Sequence, residues 1–181
     1  MDDLLQITWL SEPFDNSPQE SPSKIVGPRR MEHLDIPELE KHISMKTLDI
    51  FGDFDLGRIY EASCLSIVQF NEHHDVVSGI CLCNYPNVPA VPADGWLSWI
   101  KNLYGVESVT EMNTLFVHFL VWDKRYEDSE FFGDLLAGLF KLASYCLHVI
   151  LVLPPRVAPG LTSRIDRAYS SIHLYHLLSS S

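Results

Sequence analysis

Apolar and polar positions alternate in the middle of this chain in a pattern that is typical of two strands. Residues 64–70 place Leu65 and Ile67 between small or polar neighbours, and residues 76–83 form a second, largely apolar run. Only the polar residues "NEHHD" separate the two runs, and so short a connection suits a tight turn. The sequence therefore predicts an antiparallel β-hairpin.

Two longer apolar segments follow in the second half of the chain. Residues 115–122 are almost wholly apolar, which indicates a central strand buried on both faces, and "HVILVLPP" indicates another buried strand. Because a strand, a crossover helix and a second strand of one sheet lie parallel, these segments and the hairpin predict a mixed α/β sheet with flanking helices. The crossover helix is predicted over residues 131–147, with inward positions at Phe132, Leu135, Leu136, Leu139, Ala143 and Cys146.

Capping and turn residues predict an edge strand and two helices ahead of the hairpin. Residues 24–30 indicate an edge strand that is weakened by Gly27 and Pro28. Asp35 is predicted to cap a helix, with Glu38 three residues on. A second helix is predicted over residues 55–62.

Similar signals predict two more helices. The proline-rich segment "NYPNVPAVPADG" is expected to be an extended crossing. Asp94 is then predicted to cap a helix that ends at Gly105. This helix carries Trp96, Trp99, Ile100 and Leu103. A last helix is predicted over residues 161–172, with Ile165, Tyr169 and Ile172 on one side.

One domain is expected, because 181 residues that are 46% hydrophobic suffice for a single core. Residues 1–24 are predicted to be a flexible acidic leader, since residues 11–24 are rich in proline and serine and offer little to bury. The folded domain is expected over residues 25–177. Residues 178–181 are expected to be a disordered tail.

The charge of the chain argues against two classes of partner. The net charge is −11, the wrong sign for neutralising the phosphates of a nucleic acid or of an anionic lipid surface. No apolar run reaches the roughly 18–20 residues of a membrane span, and the N-terminus is acidic where a signal peptide would be basic. An intracellular protein that binds neither nucleic acid nor membrane is therefore expected.

No metal site or disulfide is predicted. The four cysteines are Cys64, Cys81, Cys83 and Cys146, and all have apolar neighbours that are typical of buried, reduced thiols. The adjacent pair His73 and His74 is expected to lie on a solvated turn, because neighbouring side chains point apart and no third ligand is near.

The order of these elements resembles that of the GCN5-related N-acetyltransferase fold. In that family the pattern V-x-P-x-x-R-G-x-G-x-G follows the central strand, and its glycines let backbone N–H groups approach the pyrophosphate of acetyl coenzyme A. Every key position departs from this pattern here. Laid on the sequence from Val121, the pattern assigns Asp123 to its proline, Tyr126 to its arginine, and Glu127, Ser129 and Phe131 to its glycines.

The charge of this loop also disfavours the cofactor. Glu127, Asp128 and Glu130 stand where a pyrophosphate would lie, and each repulsion costs on the order of 1–4 kcal/mol at intermediate dielectric. Lys124 and Arg125 are expected to offset only part of this cost. No cofactor-binding residue is therefore predicted, and acidic residues at a helix start have a simpler use in stabilising its dipole.

The candidate catalytic residues are few. Enzymes of this fold usually use a Glu, or a water that it orders, as the base and often a Tyr as the acid. His118 is the one titratable side chain within the central strand, and Tyr169 lies in the region of the usual acid. His118 has apolar neighbours, and Tyr169 shares a helix side with Ile165 and Ile172, so both are expected to be core residues and no catalytic residue is predicted.

Three blocks resemble a narrower family. The blocks "LCNYPNVPAVPADGWLSWI", "NTLFVHFLVWDKRY" and "HVILVLPP" are similar to the N-terminal domain of the cilia- and flagella-associated protein 61 family, over roughly residues 25–161. The resemblance implies a non-catalytic domain at the head of a longer axonemal protein. It also implies partners at the base of a radial spoke, in the calmodulin- and spoke-associated complex, and a role in ciliary motility.

The end of the chain departs from that resemblance. The fold normally adds two last strands after "YSSIHLYHLLSSS", so the chain is expected to be a fragment, an alternative product or a gene model that passed an exon boundary. The strand at residues 148–153 is then expected to have an open edge.

Three functions remain open from the sequence. The first is a structural and interaction module of a ciliary assembly, with Trp96, Trp99 and Tyr104 as candidate anchors, although core packing is the simpler role for both tryptophans. The second is an N-acyltransferase that holds coenzyme A in an altered loop. The third is a small acidic adaptor without a ciliary role.

Overall fold

A six-stranded mixed sheet runs through the middle of the protein. The computed structural model describes residues 22–89, 91–127 and 131–153, and the backbone of residues 172–176. The strands lie side by side in chain order, antiparallel from the first to the fourth and parallel from the fourth to the sixth. This confirms the mixed sheet and the hairpin. The strands are β1 (Ile25–Arg30), β2 (Leu65–Asn71), β3 (Val76–Cys83), β4 (Thr114–Trp122), β5 (His148–Leu153) and β6 (Ile172–His176).

Helices cover both faces of the sheet. They are α1 (Ile36–Glu40), α2 (Met45–Phe51), α3 (Leu56–Ala62), α4 (Trp96–Tyr104) and α5 (Phe131–Leu142), with short 3-10 turns at His33–Asp35 and Lys124–Tyr126. On one face α5 packs Leu135, Leu136 and Leu139 against β2 to β5. On the other face α1 and α3 meet Phe119 of β4, and α4 covers Phe116. A strand between two helical layers has no polar face, which explains the apolar run of β4.

Two helices differ from the prediction. The helix α2 was not predicted, although Ser44 caps it by accepting a hydrogen bond from the Thr47 N–H. The helix α5 ends at Leu142 rather than at residue 147. Beyond it the chain turns, because the N–H groups of Leu147 and His148 both donate to Asn113 O, which aligns β5 with β4. Ala143 and Cys146 are buried as predicted, but in this turn.

Both predicted N-terminal caps are wrong, and a cap that was not predicted is present at Asp55. The Asp55 carboxylate accepts a hydrogen bond from the Arg58 N–H at the start of α3. Asp35 makes no such bond to α1, because its carboxylate is engaged by Arg29 and by the Glu32 N–H. The helix α4 begins after Gly95 instead of Asp94, without a side-chain cap.

The predicted end of the fourth helix is confirmed. Gly105 follows α4 with a left-handed φ of 65°, a conformation that favours glycine. Of the four apolar residues predicted on α4, Trp96 and Ile100 are buried and Trp99 is half-buried, but Leu103 is 61% exposed. The inward stripe of this short helix is therefore narrower than its sequence suggests.

The prediction for one edge of the sheet is confirmed, and the prediction for the other is wrong. The strand β1 is an edge strand as predicted, and Pro28 falls at a position where its missing N–H faces away from β2 in the alternating bond pattern. The predicted open edge of β5 is wrong, because β6 pairs with β5 from Val149 to Leu153. Ile172 accordingly begins a strand and is not part of a helix. The rest of the last predicted helix, including Ile165 and Tyr169, lies outside the described residues, as do residues 1–21 of the leader.

Candidate functional site

The loop that follows β4 forms a closed 3-10 turn. The Arg125 N–H donates to Asp123 Oδ1 at 2.9 Å, and the Tyr126 N–H donates to the carbonyl oxygen of Asp123 at 2.9 Å. The Glu127 N–H donates to Lys124 O at 3.1 Å. A phosphate-binding loop needs such N–H groups to point at the ligand. Here three successive amides are already bonded within the loop.

An ion pair fixes the same turn. The Arg125 guanidinium contacts both carboxylate oxygens of Asp123, with distances of 2.6 and 3.0 Å to Asp123 Oδ2. Burial by itself would raise the pKa of the Asp123 carboxyl, but the bonds from Arg125 outweigh burial and hold this pKa below its usual range. The carboxylate that stands at the proline position of the phosphate pattern is thus ionised and held inward at neutral pH.

Two core aromatic rings occupy positions that the phosphate pattern assigns to its arginine and its last glycine. Tyr126 is 2% exposed and Phe131 is 6% exposed. Both pack with Val77 of β3, and the ring of Phe131 lies 5.7 Å from that of Trp122. These side chains hold the loop against the sheet, so the space that glycines would leave open is filled.

The sequence predicted that Lys124 and Arg125 would partly offset the acidic residues of this loop, but the observed ion pairs involve other residues as well. Arg125 binds Asp123, while Glu127 is contacted by Lys46 of α2 at 3.2 Å. The Glu127 side chain is 25% exposed, so its charge is only partly screened by water. Asp128, Ser129 and Glu130 lie outside the described residues.

Beside this loop, β4 and β5 share only a short ladder. Their pairing runs from Thr114–His148 to Phe116–Ile150 and does not continue along the remaining residues of β4. On the other side of β4, Val117 pairs with Leu82 and Phe119 pairs with Cys81, so His118 is the extra residue of a β-bulge. The bulge lies where the two strands part.

His118 is a buried, hydrogen-bonded residue, as predicted. Its Nε2 lies 2.7 Å from Tyr85 O, and its ring packs edge-on against the Tyr85 ring at 5.0 Å. Burial lowers the pKa of His118, and the hydrogen bond to the Tyr85 carbonyl opposes this only in part. The imidazole is therefore neutral at pH 7, with Nε2–H as the donor.

The three candidate aromatic anchors of α4 have different environments. Trp96 is 1% exposed and packs edge-on against Phe116 at 4.8 Å. Trp99 and Tyr104 are half-buried, with ring centroids 6.0 Å apart. Trp96 is thus a core residue, whereas the other two also contribute to the surface.

The predicted thiols and turn histidines are largely as expected. Three of the cysteines are buried, but Cys64 is exposed, which corrects one of the four predictions. Cys64 lies in the bend between α3 and β2. His73 and His74 are exposed on the hairpin turn. Within the described residues no group of three or more His, Cys, Asp or Glu side chains is placed to hold a metal ion.

A buried polar connection to the start of α5 was not predicted from the sequence. Gln69 of β2 is fully buried, its Nε2 donates to Phe131 O at 2.9 Å, and it accepts a 2.6 Å bond from the Ser78 hydroxyl. The signal was available, because Gln69 is a polar residue within a strand whose neighbours are apolar. This connection ties the hairpin to the helix that follows the loop.

The comparison with known families gives one finding. The family model described as cilia- and flagella-associated protein 61, N-terminal domain, matches residues 27–178. The matched segment includes α1 to α5 and β2 to β6, together with most of β1. Among the described residues no helix is long and apolar enough to cross a membrane.

Proposed function

The chain belongs to the family of cilia- and flagella-associated protein 61, and from this premise we propose that it is a non-catalytic, acetyltransferase-like module of the ciliary axoneme. In this role it binds axonemal proteins at the base of a radial spoke, within the calmodulin- and spoke-associated complex, and supports ciliary motility. Its place of action is the axonemal cytoskeleton.

The closed turn after β4 is the observation that carries the non-catalytic part of this proposal. The N–H groups of Arg125, Tyr126 and Glu127 are bonded to acceptors of Asp123 and Lys124. To bind a diphosphate, the loop would have to break these bonds and release the Asp123–Arg125 ion pair. A charge-assisted hydrogen bond contributes about 1.5–3 kcal/mol, so this rearrangement opposes cofactor binding.

Bulk and charge act in the same direction. Opening the loop would also remove Tyr126 and Phe131 from their buried positions against Val77, and burial of a large side chain contributes about 1.5–3 kcal/mol. Glu127 would then face the phosphates. Rearranging the loop and repelling the ligand both cost free energy, which favours a domain that keeps the fold without the cofactor.

Melting of the native chain with and without acetyl coenzyme A tests this part. Ligand at 100 times its dissociation constant stabilises a protein by about 2.7 kcal/mol, so a working pocket would raise the melting temperature. We expect no shift for the native chain. A saturable rise would overturn the non-catalytic assignment.

A gain-of-function variant sharpens the test. Glu127→Gly with Ser129→Gly restores two glycines of the phosphate pattern, and a ligand-dependent shift that appears only in this variant would support the loop argument. The matched control is Glu107→Gly with Ser108→Gly, which makes the same two substitutions on an exposed loop. A shift in the control as well would show non-specific binding.

The alternative function is a coenzyme A-dependent N-acyltransferase. It is favoured by two observations, the parting of β4 from β5 after Phe116 and the bulge at His118. In this alternative His118 Nδ1 is the proton acceptor, because Nε2 is bonded to Tyr85 O. Acyl transfer from acetyl coenzyme A to peptide amines, lost in His118→Gln, would establish this function. No transfer above the buffer rate is expected.

The ciliary part of the proposal requires its own experiment. A tagged chain is expressed in ciliated cells, and axonemes are extracted with detergent. Retention with the doublet microtubules is expected, and complete loss to the soluble fraction would contradict axonemal binding and favour a generic adaptor. Trp99→Ala tests whether α4 contributes a contact, with Trp122→Phe as a control for a partly buried ring on another element.

A further inference from the structure

Two thiols lie at the open end of the β2–β3 hairpin, away from the loop discussed above. Cys64 immediately precedes β2, and Cys83 is the last residue of β3. Leu65 pairs with Leu82, so each cysteine lies one residue beyond the same cross-strand pair. The Cys64 N–H donates to Leu82 O at 2.8 Å, which fixes the two segments side by side.

The sulfur of Cys83 faces the segment that contains Cys64. It lies 3.7 Å from Ala62 O and 4.0 Å from Ser63 Oγ, and the Cys64 N–H also approaches it. Cys64 and Cys83 are the next positions after the Leu65–Leu82 pair. Opposing positions of an antiparallel pair have Cα atoms about 4.5–5.5 Å apart, and disulfides span about 4.4–6.8 Å, so a bond between these positions is compatible with the backbone. It requires the exposed Cys64 side chain to turn toward the Cys83 sulfur.

The two thiols differ in their access to solvent. Cys64 is exposed and Cys83 is buried. Burial raises the pKa of the Cys83 thiol above its usual value, so Cys83 is mainly protonated at neutral pH. A small oxidant reaches Cys64 first, and Cys83 is then the nearby thiol that can react with the product.

We propose that Cys64 and Cys83 are an oxidation site, in which a peroxide converts this pair of thiols into an intramolecular disulfide. The Cys64 thiol attacks the peroxide, the O–O bond breaks, and a sulfenic acid and water form. The Cys83 thiol then attacks the Cys64 sulfur, the S–O bond breaks, and a second water leaves with the Cys83 proton. Two thiols and one hydrogen peroxide thus give one disulfide and two waters.

The other two cysteines do not take part in this reaction. Cys81 is fully buried, and burial raises the pKa of its thiol to about 11. Cys146 is buried near the start of β5, where its sulfur donates to His148 O at 3.3 Å. Neither combines exposure with a facing thiol.

The bond would stiffen one end of the hairpin. It would join the end of α3 to the end of β3, from which the chain continues to Tyr85, the residue that holds the His118 ring. The closed loop of about 20 residues should make the oxidised form more stable than the reduced form. This inference does not depend on the proposed ciliary role.

The test treats the full chain with hydrogen peroxide, blocks the remaining thiols and maps the cysteines by mass spectrometry. Cleavage after acidic residues separates Cys64 from Cys83, because Glu72 and Asp75 lie between them. A linked pair of peptides, lost on reduction, is expected, together with a higher melting temperature than that of the reduced chain.

Three variants assign the bond. Cys64→Ser should abolish the linked peptides and the rise in melting temperature. Cys146→Ala should retain the linked peptides and the rise in melting temperature. Cys81→Ala should still give linked peptides, and because Cys81 and Cys83 share one peptide, this result assigns the bond to Cys83. The proposal is overturned by a sulfinic acid at Cys64 beside a free Cys83, by a bond to Cys81, or by a disulfide between two chains on a non-reducing gel.

Discussion

The backbone of Gly138 on α5 lies directly against the ring of Pro28 on β1. A Cβ placed at Gly138 would overlap Pro28 Cγ. Glycine is unfavourable inside a helix by about 1 kcal/mol relative to alanine, so helix propensity does not explain this residue. The close approach does, because only a residue without a side chain lets the middle of α5 pack this closely on the edge strand.

Gly138→Ala is therefore expected to destabilise the fold. Overpacking costs about 1–3 kcal/mol, and the gain in helix propensity offsets up to about 1 kcal/mol of it. Urea unfolding should show a lower midpoint than for the native chain. Gly95→Ala is the control, because its Cβ would have only ordinary contacts at 3.8 Å, and its midpoint should change little. Equal midpoints for both variants would contradict the close packing.

The Arg29–Asp35 ion pair should make the unfolding free energy decrease as the pH falls into the acid range. The guanidinium and carboxylate share two bonds of 2.8 Å. Burial would raise the pKa of Asp35, but the bonds from Arg29 and the Glu32 N–H outweigh it and lower this pKa. A lowered folded-state pKa means that the stabilisation is present above the unfolded-state pKa of about 3.9 and is lost as the pH falls through the folded-state value.

Asp35→Asn is accordingly expected to lower the unfolding free energy at pH 7. The loss should be only about 1–2 kcal/mol, because Arg29 is partly exposed and its charge is screened by solvent. Its unfolding free energy should fall less steeply than that of the native chain below pH 4, a comparison that urea titrations at several pH values provide. Glu38→Gln removes the exposed pair with Lys41 and should cost at most about 0.5 kcal/mol. An unchanged acid dependence in Asp35→Asn would refute the assignment.

The buried Gln69 should stabilise the start of α5. Gln69→Leu removes one donor to Phe131 O and the acceptor of the Ser78 hydroxyl, and an unsatisfied buried hydroxyl costs about 1–3 kcal/mol. Faster amide hydrogen exchange at the start of α5 is expected, along with a lower unfolding free energy. Adding Ser78→Ala removes the unsatisfied hydroxyl and should recover part of the lost unfolding free energy. If the double variant loses more unfolding free energy than the two single variants together, the hydrogen bond between Gln69 and Ser78 is refuted.

The two tryptophans of α4 should differ in stability and in binding. Trp96→Ala is expected to cost about 3–5 kcal/mol, as for other large core truncations. Trp99→Ala should cost less, because Trp99 is only half-buried, while it reduces retention on axonemes if α4 is a contact. Thermal melts and the axoneme extraction measure the two effects. Comparable destabilisation by both substitutions would place Trp99 in the core as well.

The strands and the hairpin could be predicted because their burial repeats at short range. Residues such as Leu65 and Ile67 carry the pattern at alternate positions, and β4 is apolar apart from Thr114 and His118. The caps were predicted less well. Asp35 has the sequence context of a helix cap, but Arg29, which lies on another element, offers its carboxylate a stronger partner. Competition of this kind depends on which residues fold together, so local sequence does not decide it.

The candidate site divides in the same way. By itself the sequence determined that the loop after β4 lacks glycine, that it carries excess negative charge and that His118 lies among apolar neighbours, because these are properties of residue type and spacing. Only the tertiary structure decided that Asp123 closes the loop on its own amides, that Lys46 pairs with Glu127, and that Cys83 faces the segment of Cys64. The last two contacts join separate elements, whose packing selects the partner. The first depends on the conformation that the loop adopts against the sheet, which residue type and spacing do not specify.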